Sequence, residues 1–310
     1  MTTAAPTPSA ARAPWPALPL DAWRETKDTL HLWTQIVGKI RLALAPMVNH
    51  WWQVPLYVNA RGLTTSAMPY GGGAVEVRFD FLDDMLHVET SAGATRDLAL
   101  EPRSVADFYH ATMDALRALG VDVRIRPRPV ELTDVIAFDR DEVHGAYDAE
   151  AARRFWRVLV QVDRVLHAFR GRFIGKCSPV HFFWGSFDLA CTRFSGRRAP
   201  LHPGGVPNCP DYVTREAYSH ECISAGWWPG GGLVDEPAFY AYAYPEPAGA
   251  STAPIRPTPA AYHSGLREWI LAYDAVRASS DPDAALLAFL ESTYEVAATL
   301  AGWDRTALER

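Results

Sequence analysis

The sequence KCSPVHFFWGSFDLACTRFSGRR occupies Lys176–Arg198 and is the most strongly patterned part of the 310-residue chain. Apolar residues follow one another through its middle, whereas a strand with one solvent face would alternate apolar and polar residues. The stretch therefore predicts a central strand around Phe182–Thr192 that is covered on both faces. Polar side chains in it, such as His181 and Asp188, would cost about 1–3 kcal/mol each if buried without partners. We expect such residues either to bond one another or to form a site.

Similar elements precede and follow this stretch in the same order. The first half predicts a helix over about 21–44, an aromatic strand-like run from His50 to Gly62, hairpin strands around the Asp83-Asp84 turn, and a helix capped by Ser104. A further strand is expected over 121–125.

The second half predicts a helix capped by Asp148, the aromatic strand, strands near 217–225 and 238–244, and a helix over 262–277. HWWQVPLYV and HFFWGSFDL open alike, which favours an internal duplication. We therefore predict an α+β fold of two similar halves, each a helix, mainly antiparallel strands and a helix, with an extra C-terminal helix from Pro282.

The division of the chain follows from composition. Residues 1–20 are rich in Ala, Pro and Thr and predict a disordered leader, followed by an N-terminal half over 21–135 and a C-terminal half over 136–310 that carries the candidate site. The formal net charge is -6 and no basic stripe is visible, which argues against a nucleic-acid partner. No apolar run is long enough to cross a membrane.

The expected location is the cytoplasm, with the four cysteines Cys177, Cys191, Cys209 and Cys222 reduced. A thiol beside a histidine could act as a nucleophile, but buried, inert cysteines are the expectation. The sequence leaves the oligomeric state open.

Two sets of residues are candidates for a site. His181, His220 and Glu221 have the side chains of general acid–base catalysis, and the alternative is that each histidine is buried and bonded to a backbone carbonyl. No cofactor or metal is predicted, because no zinc spacing occurs, and a divalent metal on the His–Glu set is the less favoured alternative. The ligand-binding candidates are Trp184, Asp188, Arg193, Arg197, Trp227 and Trp228.

The second set also has structural alternatives. Asp188 with one arginine could be a buried ion pair, Arg197 could lie on a solvated loop, and the tryptophans could belong to the core rather than to an aromatic wall.

Four motifs, GKCSPVHFFWGSFDLACTRFSGRRAP, YSHECISAGWWPGG, FYAYAYPEP and STYEVAATLAGWDR, resemble those of a bacterial family, domain-of-unknown-function family 5996. The resemblance extends over essentially the whole chain after the leader. It implies no catalytic residue, mechanism or cofactor.

Two functional hypotheses from different classes follow. In the first, the protein binds or acts on a small polar molecule in an aromatic-lined pocket with a His, Glu and Arg polar set. In the second, it is a non-catalytic structural or interaction protein whose buried polar residues only lock the fold. The two differ in whether the polar residues converge on one cavity that solvent can reach.

Overall fold

A computed structural model gives the fold and describes residues 14–310. Seven α-helices are present in this part of the chain: α1 Arg24–Leu44, α2 Val105–Ala118, α3 Ala149–Gly171, α4 Asp211–Ala217, α5 Tyr273–Arg277, α6 Pro282–Leu300 and α7 Arg305–Leu308. The helix starts follow the sequence signals closely. The Ser104 hydroxyl accepts the Asp107 N–H at 3.1 Å, and the carboxylates of Asp148 and Asp281 cap α3 and α6.

The strands form two antiparallel sheets of six. In chain order they are β1 Tyr57–Val58, β2 Gly62–Thr64, β3 Met68–Tyr70, β4 Gly73–Asp80, β5 Met85–Thr90, β6 Thr95–Ala99, β7 His181–Phe183, β8 Asp188–Arg198, β9 His220–Trp228, β10 Ala238–Tyr244, β11 Ala261–His263 and β12 Glu268–Ala272. The first sheet has the order β1-β2-β4-β5-β6, with β3 also on β4, and the second has the order β11-β12-β10-β9-β8-β7. The α+β class is confirmed.

Both halves contain helices and a six-stranded sheet, but β3 leaves the linear strand order in the first sheet alone. The segments that look alike in sequence also differ, because His50 lies in a short 3-10 turn and His181 begins a strand. Instead of occupying equivalent places, these segments touch, through paired backbone hydrogen bonds of 2.9 Å between Leu56 and Phe182. The internal duplication is not confirmed.

Several strand and helix predictions are wrong. The expected central strand over Phe182–Thr192 is a hairpin, in which β7 is the edge strand and the chain turns at 184–187. The expected helix over 262–277 is β11, β12 and the short α5. The run from His50 to Gly62 contains only β1 and the first residue of β2, both in its second half, and 121–125 forms no strand.

Residues 1–13, most of the predicted leader, lie outside the described part of the chain. The rest of that segment packs on the core instead of being disordered. Trp15, Leu18 and Leu20 are buried, and the Trp15 indole donates to Asp283 at 3.2 Å. No helix within residues 14–310 is long and apolar enough to span a membrane.

The two sides of the second sheet differ in chemistry. Leu189, Trp227 and Phe239 point toward α3 and α6, where Trp227 lies 6.0 Å from Phe155 of α3. The register places a polar set on the other side, which we call the open face: Asp188, Thr192, Ser224, Tyr240, Tyr242 and Glu268. Loops that precede and follow the strands lie over this side, so they determine how much of it solvent reaches.

Candidate functional site

Solvent reaches the middle of the open face. Thr192 of β8, Tyr242 of β10 and Glu268 of β12 all lie on inner strands, yet each is only half-buried. A sheet face fully covered by a packed layer would bury residues at these positions. The half-burial of these inner-strand residues means that part of the open face is uncovered, and we call this part a recess. The helix-covered side differs, because Leu189, Trp227 and Phe239 are fully buried there.

Asp188 lies at the inner end of this recess and is 6% exposed. The Ser186 hydroxyl donates to its Oδ1 at 2.6 Å, and the Tyr240 hydroxyl donates to its Oδ2. No ion pair with Asp188 is found among residues 14–310, although a buried carboxylate is stabilised mainly by a cation or several donors. Two hydroxyl donors are less than a buried aspartate usually receives, and burial raises the pKa of Asp188 to about 6.

Gly226 allows Tyr240 to reach Asp188. Gly226 lies opposite Tyr240 on the neighbouring strand, and a Cβ at this position would stand 2.7 Å from the Tyr240 hydroxyl. The same Cβ would also overlap the Leu189 carbonyl. Any larger residue would therefore displace the phenol that spans β9.

Glu131 brings a second carboxyl to the recess from a loop remote in sequence. Its carboxyl lies against Gly185, where a Cβ would overlap it, and it also interacts with the Ser186 hydroxyl, whose proton goes to Asp188. Glu131 and Ser186 have exposed atoms, but the Glu131 carboxyl itself is enclosed by protein against Gly185, so the residue is accessible while its carboxyl is buried. Glu131 and Phe187 both have left-handed backbone (φ 61° and 59°), a conformation that side chains other than glycine rarely adopt and that is enriched at functional sites.

Helix α1 holds the two loops that carry these groups. His31 and Gln35 lie one turn apart on the same side of the helix. His31 Nε2 is 2.8 Å from the Gly185 carbonyl, and the Gln35 amide bonds both the N–H and the C=O of Val130, at 2.9 and 3.0 Å. These contacts fix the positions of Gly185 and Val130, and hence of Ser186 and Glu131.

Three carboxyls of the recess have raised pKa values. Burial, followed by the charge of Asp188, raises the pKa of Glu131 to about 7. The same two causes raise the pKa of Glu268 to about 7. None of the three forms an ion pair within residues 14–310. The three carboxyls therefore bind protons more readily than ordinary side-chain carboxyls do.

Aromatic rings form the walls beside the carboxyls. The Trp228 ring lies 5.6 Å from Tyr240, and the Tyr240 and Tyr242 rings stack at 6.1 Å with an interplanar angle of 13°. The Tyr242 and Tyr218 hydroxyls are hydrogen-bonded at 2.7 Å, and His202 stacks on Tyr218 at 4.8 Å. We define the carboxyl recess by Glu131, Ser186, Asp188, Trp228, Tyr240, Tyr242 and Glu268.

The predicted site residues are only partly brought together. Asp188 and Trp228 are in the carboxyl recess, and Trp184 precedes Gly185 but is buried, with its indole donating to the Val54 carbonyl at 2.9 Å. Trp227 points to the opposite side of the sheet and belongs to the core.

Arg193 also lies on the helix side, and the expected ion pair of Asp188 with an arginine is not found within residues 14–310. Arg193 is 1% exposed, its guanidinium lies 3.4 Å above the Phe169 ring, and it donates to the Phe169 carbonyl. Its nearest carboxylate is that of Glu291, at 3.8 Å.

Glu221 and Arg197 pair with each other at 2.7 Å, away from the recess. Arg197 also donates to the Ala301 and Gly302 carbonyls that follow α6, at 2.7 and 3.0 Å. His220 and Glu221 point to opposite sides of β9, as expected for neighbours in a strand. This ion pair ties β8 and β9 to the end of α6, which is a structural role.

His181 and His220 both lie on the open-face side, with different neighbours. His181 is fully buried among Trp52, Tyr57 and Phe183, neither ring nitrogen has a partner, and burial lowers its pKa to about 3. His220 lies 5.7 Å from His50 and near Ser219. A pocket shared by the two histidines stays a prediction.

Most of the residues that form the recess were not among the predicted site residues. The run AFYAYAY of β10 has tyrosine at every second position, which is the signal that places Tyr240 and Tyr242 on one side of a strand. Glu268 lies within the wrongly predicted helix over 262–277, and Glu131 lies close to the expected boundary between the two halves. Nothing local in the sequence indicates that either carboxyl meets Asp188.

Two clefts elsewhere in the described part of the chain contain none of the residues that define the carboxyl recess. No group of three or more His, Cys, Asp or Glu side chains that could hold a metal ion occurs in the described part of the chain. A cleft of about 530 Å³ lies between α2 and 121–125, and a groove of about 190 Å³ lies beside Glu221 and Trp303. The larger cleft contains none of the predicted site residues.

A family model with the description "Family of unknown function (DUF5996)" matches residues 15–310. No curated protein matches the chain, and no solved structure matches it. The match includes both sheets and the whole carboxyl recess, and the resemblance noted in the sequence is confirmed.

Proposed function

We propose that this chain binds a small organic cation in the carboxyl recess. The chain belongs to the DUF5996 family, whose description assigns no activity. The observation that carries the proposal is that three carboxyls without an ion-pair partner in residues 14–310 lie beside aromatic rings, of which those of Trp228 and Tyr242 belong to half-buried residues. A protonated amine or a quaternary ammonium group is the ligand chemistry that suits both features.

The carboxyls favour a cation for electrostatic reasons. Asp188 and Glu131 are close enough that the charge of one raises the pKa of the other, so ionising both without a cation is unfavourable. A bound cation would stabilise both carboxylates and displace their protons. Affinity should therefore rise with pH through the range of about 6–7, whereas a neutral ligand would show no such dependence.

The rings favour an organic cation over a hydrated metal ion. Trp228, Tyr240 and Tyr242 present aromatic surface at the recess, and a cation over such a ring gains about 0.5–2 kcal/mol. A carboxyl with a pKa near 7 also meets the requirement of general acid–base catalysis, so these groups are suited to exchange a proton with a bound amine.

The alternative of a purely structural protein is supported for Arg193, Arg197, Glu221 and Trp227, whose contacts lock helices to the sheet. It does not account for Glu131 and Asp188. Their raised pKa values mean that ionising them opposes folding, and a polar group that lowers stability in this way is typical of a site.

Isothermal titration calorimetry with matched probes tests the proposal. Choline should bind, whereas its neutral carbon isostere dimethylbutanol should not, and butylammonium should bind more tightly than butanol. Choline affinity at pH 5 should be about tenfold or more below that at pH 8, because a carboxyl with a pKa of about 6 is only about one-tenth ionised at pH 5.

Variants locate the binding. Asp188→Asn and Glu131→Gln keep the side-chain shapes and should each weaken choline binding about tenfold or more. Glu221→Gln is the matched control, since it removes a carboxylate on the other side of β9. Equal weakening by Glu221→Gln, or equal binding of choline and dimethylbutanol, would refute the proposal.

A further inference from the structure

The helix side of the second sheet carries two adjacent thiols. The Sγ atoms of Cys177 and Cys191 lie 3.5 Å apart, farther than the ~2.05 Å of a disulfide, so both are free thiols in contact. Cys191 is buried in β8, and Cys177 is half-buried in the segment between α3 and β7. Cys177 lies opposite Arg193 in a single backbone bridge, which places it diagonally across from Cys191.

The surroundings make the two thiols unequal. The Arg193 guanidinium lies beside the pair, and Arg170 donates to the Ser178 carbonyl next to Cys177 at 2.6 Å. The hydrogen bond with Cys191, and then the charges of Arg193 and Arg170, lower the pKa of Cys177. Cys191 has the opposite shift, because its bond with Cys177 and its burial raise its pKa. A partly accessible thiol with a lowered pKa beside a buried resolving thiol is the arrangement of redox-sensitive pairs.

The other two cysteines lack these features. Cys209 is half-buried in the loop before α4, where burial and the charge of Glu131 raise its pKa to about 11. Cys222 is buried on the open-face side of β9, and burial raises its pKa to about 12. The chain therefore supplies two internal controls for thiol reactivity.

We propose that Cys177 and Cys191 form a reversible disulfide when the protein meets a hydroperoxide. The Cys177 thiolate attacks one peroxide oxygen, an S–O bond forms, the O–O bond breaks, and the leaving oxygen takes a proton. The Cys191 sulfur then attacks the Cys177 sulfur, the S–O bond breaks, and water leaves with the Cys191 proton. The two thiols lose two electrons, and the peroxide is reduced by the same two electrons.

The second step requires the sulfurs to approach by about 1.5 Å. Cys177 lies outside the named strands, but Lys176 and Ser178 on either side of it are hydrogen-bonded to Phe194 and Thr192 of β8, so the approach must come mainly from rotation of the two thiol side chains. The resulting cross-link would fasten the segment that connects α3 and β7 to β8 of the second sheet.

The test uses the full chain in its native state. The protein is exposed to hydrogen peroxide, alkylated with N-ethylmaleimide, digested without reductant and mapped by mass spectrometry. The expected product is a peptide pair linked through Cys177 and Cys191, lighter than the reduced pair by about 2 Da and restored by dithiothreitol. Absence of this pair from peroxide-treated folded protein would overturn the proposal.

Two further measurements separate the roles of the thiols. Cys191→Ser should leave a sulfenic acid on Cys177 that dimedone traps, whereas Cys209→Ser and Cys222→Ser should still form the disulfide. The second measurement uses the untreated wild type, so it does not depend on the folding of a variant. N-ethylmaleimide should modify Cys177 about tenfold or more faster than Cys209 at neutral pH. Faster modification of Cys209, or dimedone trapping on Cys209 in place of Cys177, would contradict the assignment.

Discussion

At the residue scale, Asp188 is the position where stability and proposed function oppose each other. Its carboxylate receives two hydroxyl donors and no cation within residues 14–310, so the folded state favours the protonated acid. The group's folded-state pKa of about 6 exceeds its ordinary value of 3.8. The folded protein therefore binds more protons than the unfolded chain between about pH 4 and pH 6, and this group destabilises the fold increasingly as pH rises through that range.

Asp188→Asn should expose this effect. The amide keeps an oxygen acceptor for the Tyr240 hydroxyl and never ionises, so the wild type should lose up to about 3 kcal/mol of unfolding free energy relative to the variant between pH 4 and pH 8. Urea denaturation at several pH values measures the difference. A difference that is constant with pH, or that favours the wild type as pH rises, would show that Asp188 is ionised with adequate partners.

Elements whose ends are marked by local chemistry could be predicted from the sequence. The caps at Ser104, Asp148 and Asp281 fix the starts of α2, α3 and α6, and the Asp83-Asp84 turn fixes a hairpin. The β7–β8 turn was missed although Gly185-Ser186 is a turn signal, because the apolar Trp184 and Phe187 flank it and Phe187 adopts a left-handed backbone that is typical of glycine or asparagine. In 262–277, apolar residues of two strands and a short helix reproduce helical spacing by coincidence.

Helix α1 provides a test of element packing. Trp184 lies directly over Gly38, and a Cβ at Gly38 would overlap the indole ring, which is held by its bond to the Val54 carbonyl. Gly38→Ala should therefore destabilise the protein by about 1–3 kcal/mol, the usual effect of overpacking. Gly171→Ala at the end of α3 is the matched control. It meets no atom within 4 Å, and its effect should be neutral or stabilising by up to about 1 kcal/mol.

Thermal or chemical denaturation of both variants decides the matter. Equal stability of Gly38→Ala and wild type would mean that the indole shifts freely, and α1 would then not be the element that positions Trp184 and the Gly185–Ser186 turn.

Trp184 itself contributes both apolar area and a hydrogen bond to this contact. It is 6% exposed, so Trp184→Ala should cost about 3–5 kcal/mol of unfolding free energy. Trp228→Ala is an informative comparison, because Trp228 is only half-buried at the recess, and its loss should lower stability less while weakening choline binding. The assignment would be contradicted if Trp228→Ala lowered stability more than Trp184→Ala in denaturation experiments, while Trp184→Ala weakened choline binding more in titrations.

At the scale of the whole molecule, the site is assembled from segments that are far apart in the chain. Glu131 comes from the segment between α2 and α3, Asp188 from β8, Tyr240 from β10 and Glu268 from β12. Their convergence depends on sheet order and on the hold of α1 on two loops, which no local pattern reveals. The sequence therefore indicated Asp188 and Trp228 but assigned them arginine and histidine partners that lie elsewhere.

The central claim is that a cation occupies the carboxyl recess. The most direct test is a crystal structure at pH 8 with arsenocholine, whose arsenic atom gives an anomalous signal at the position of the cationic centre. We predict one strong anomalous peak among Asp188, Tyr240 and Trp228, and its loss in crystals of Asp188→Asn. A peak elsewhere on the protein, or an empty recess at saturating arsenocholine, would contradict the account.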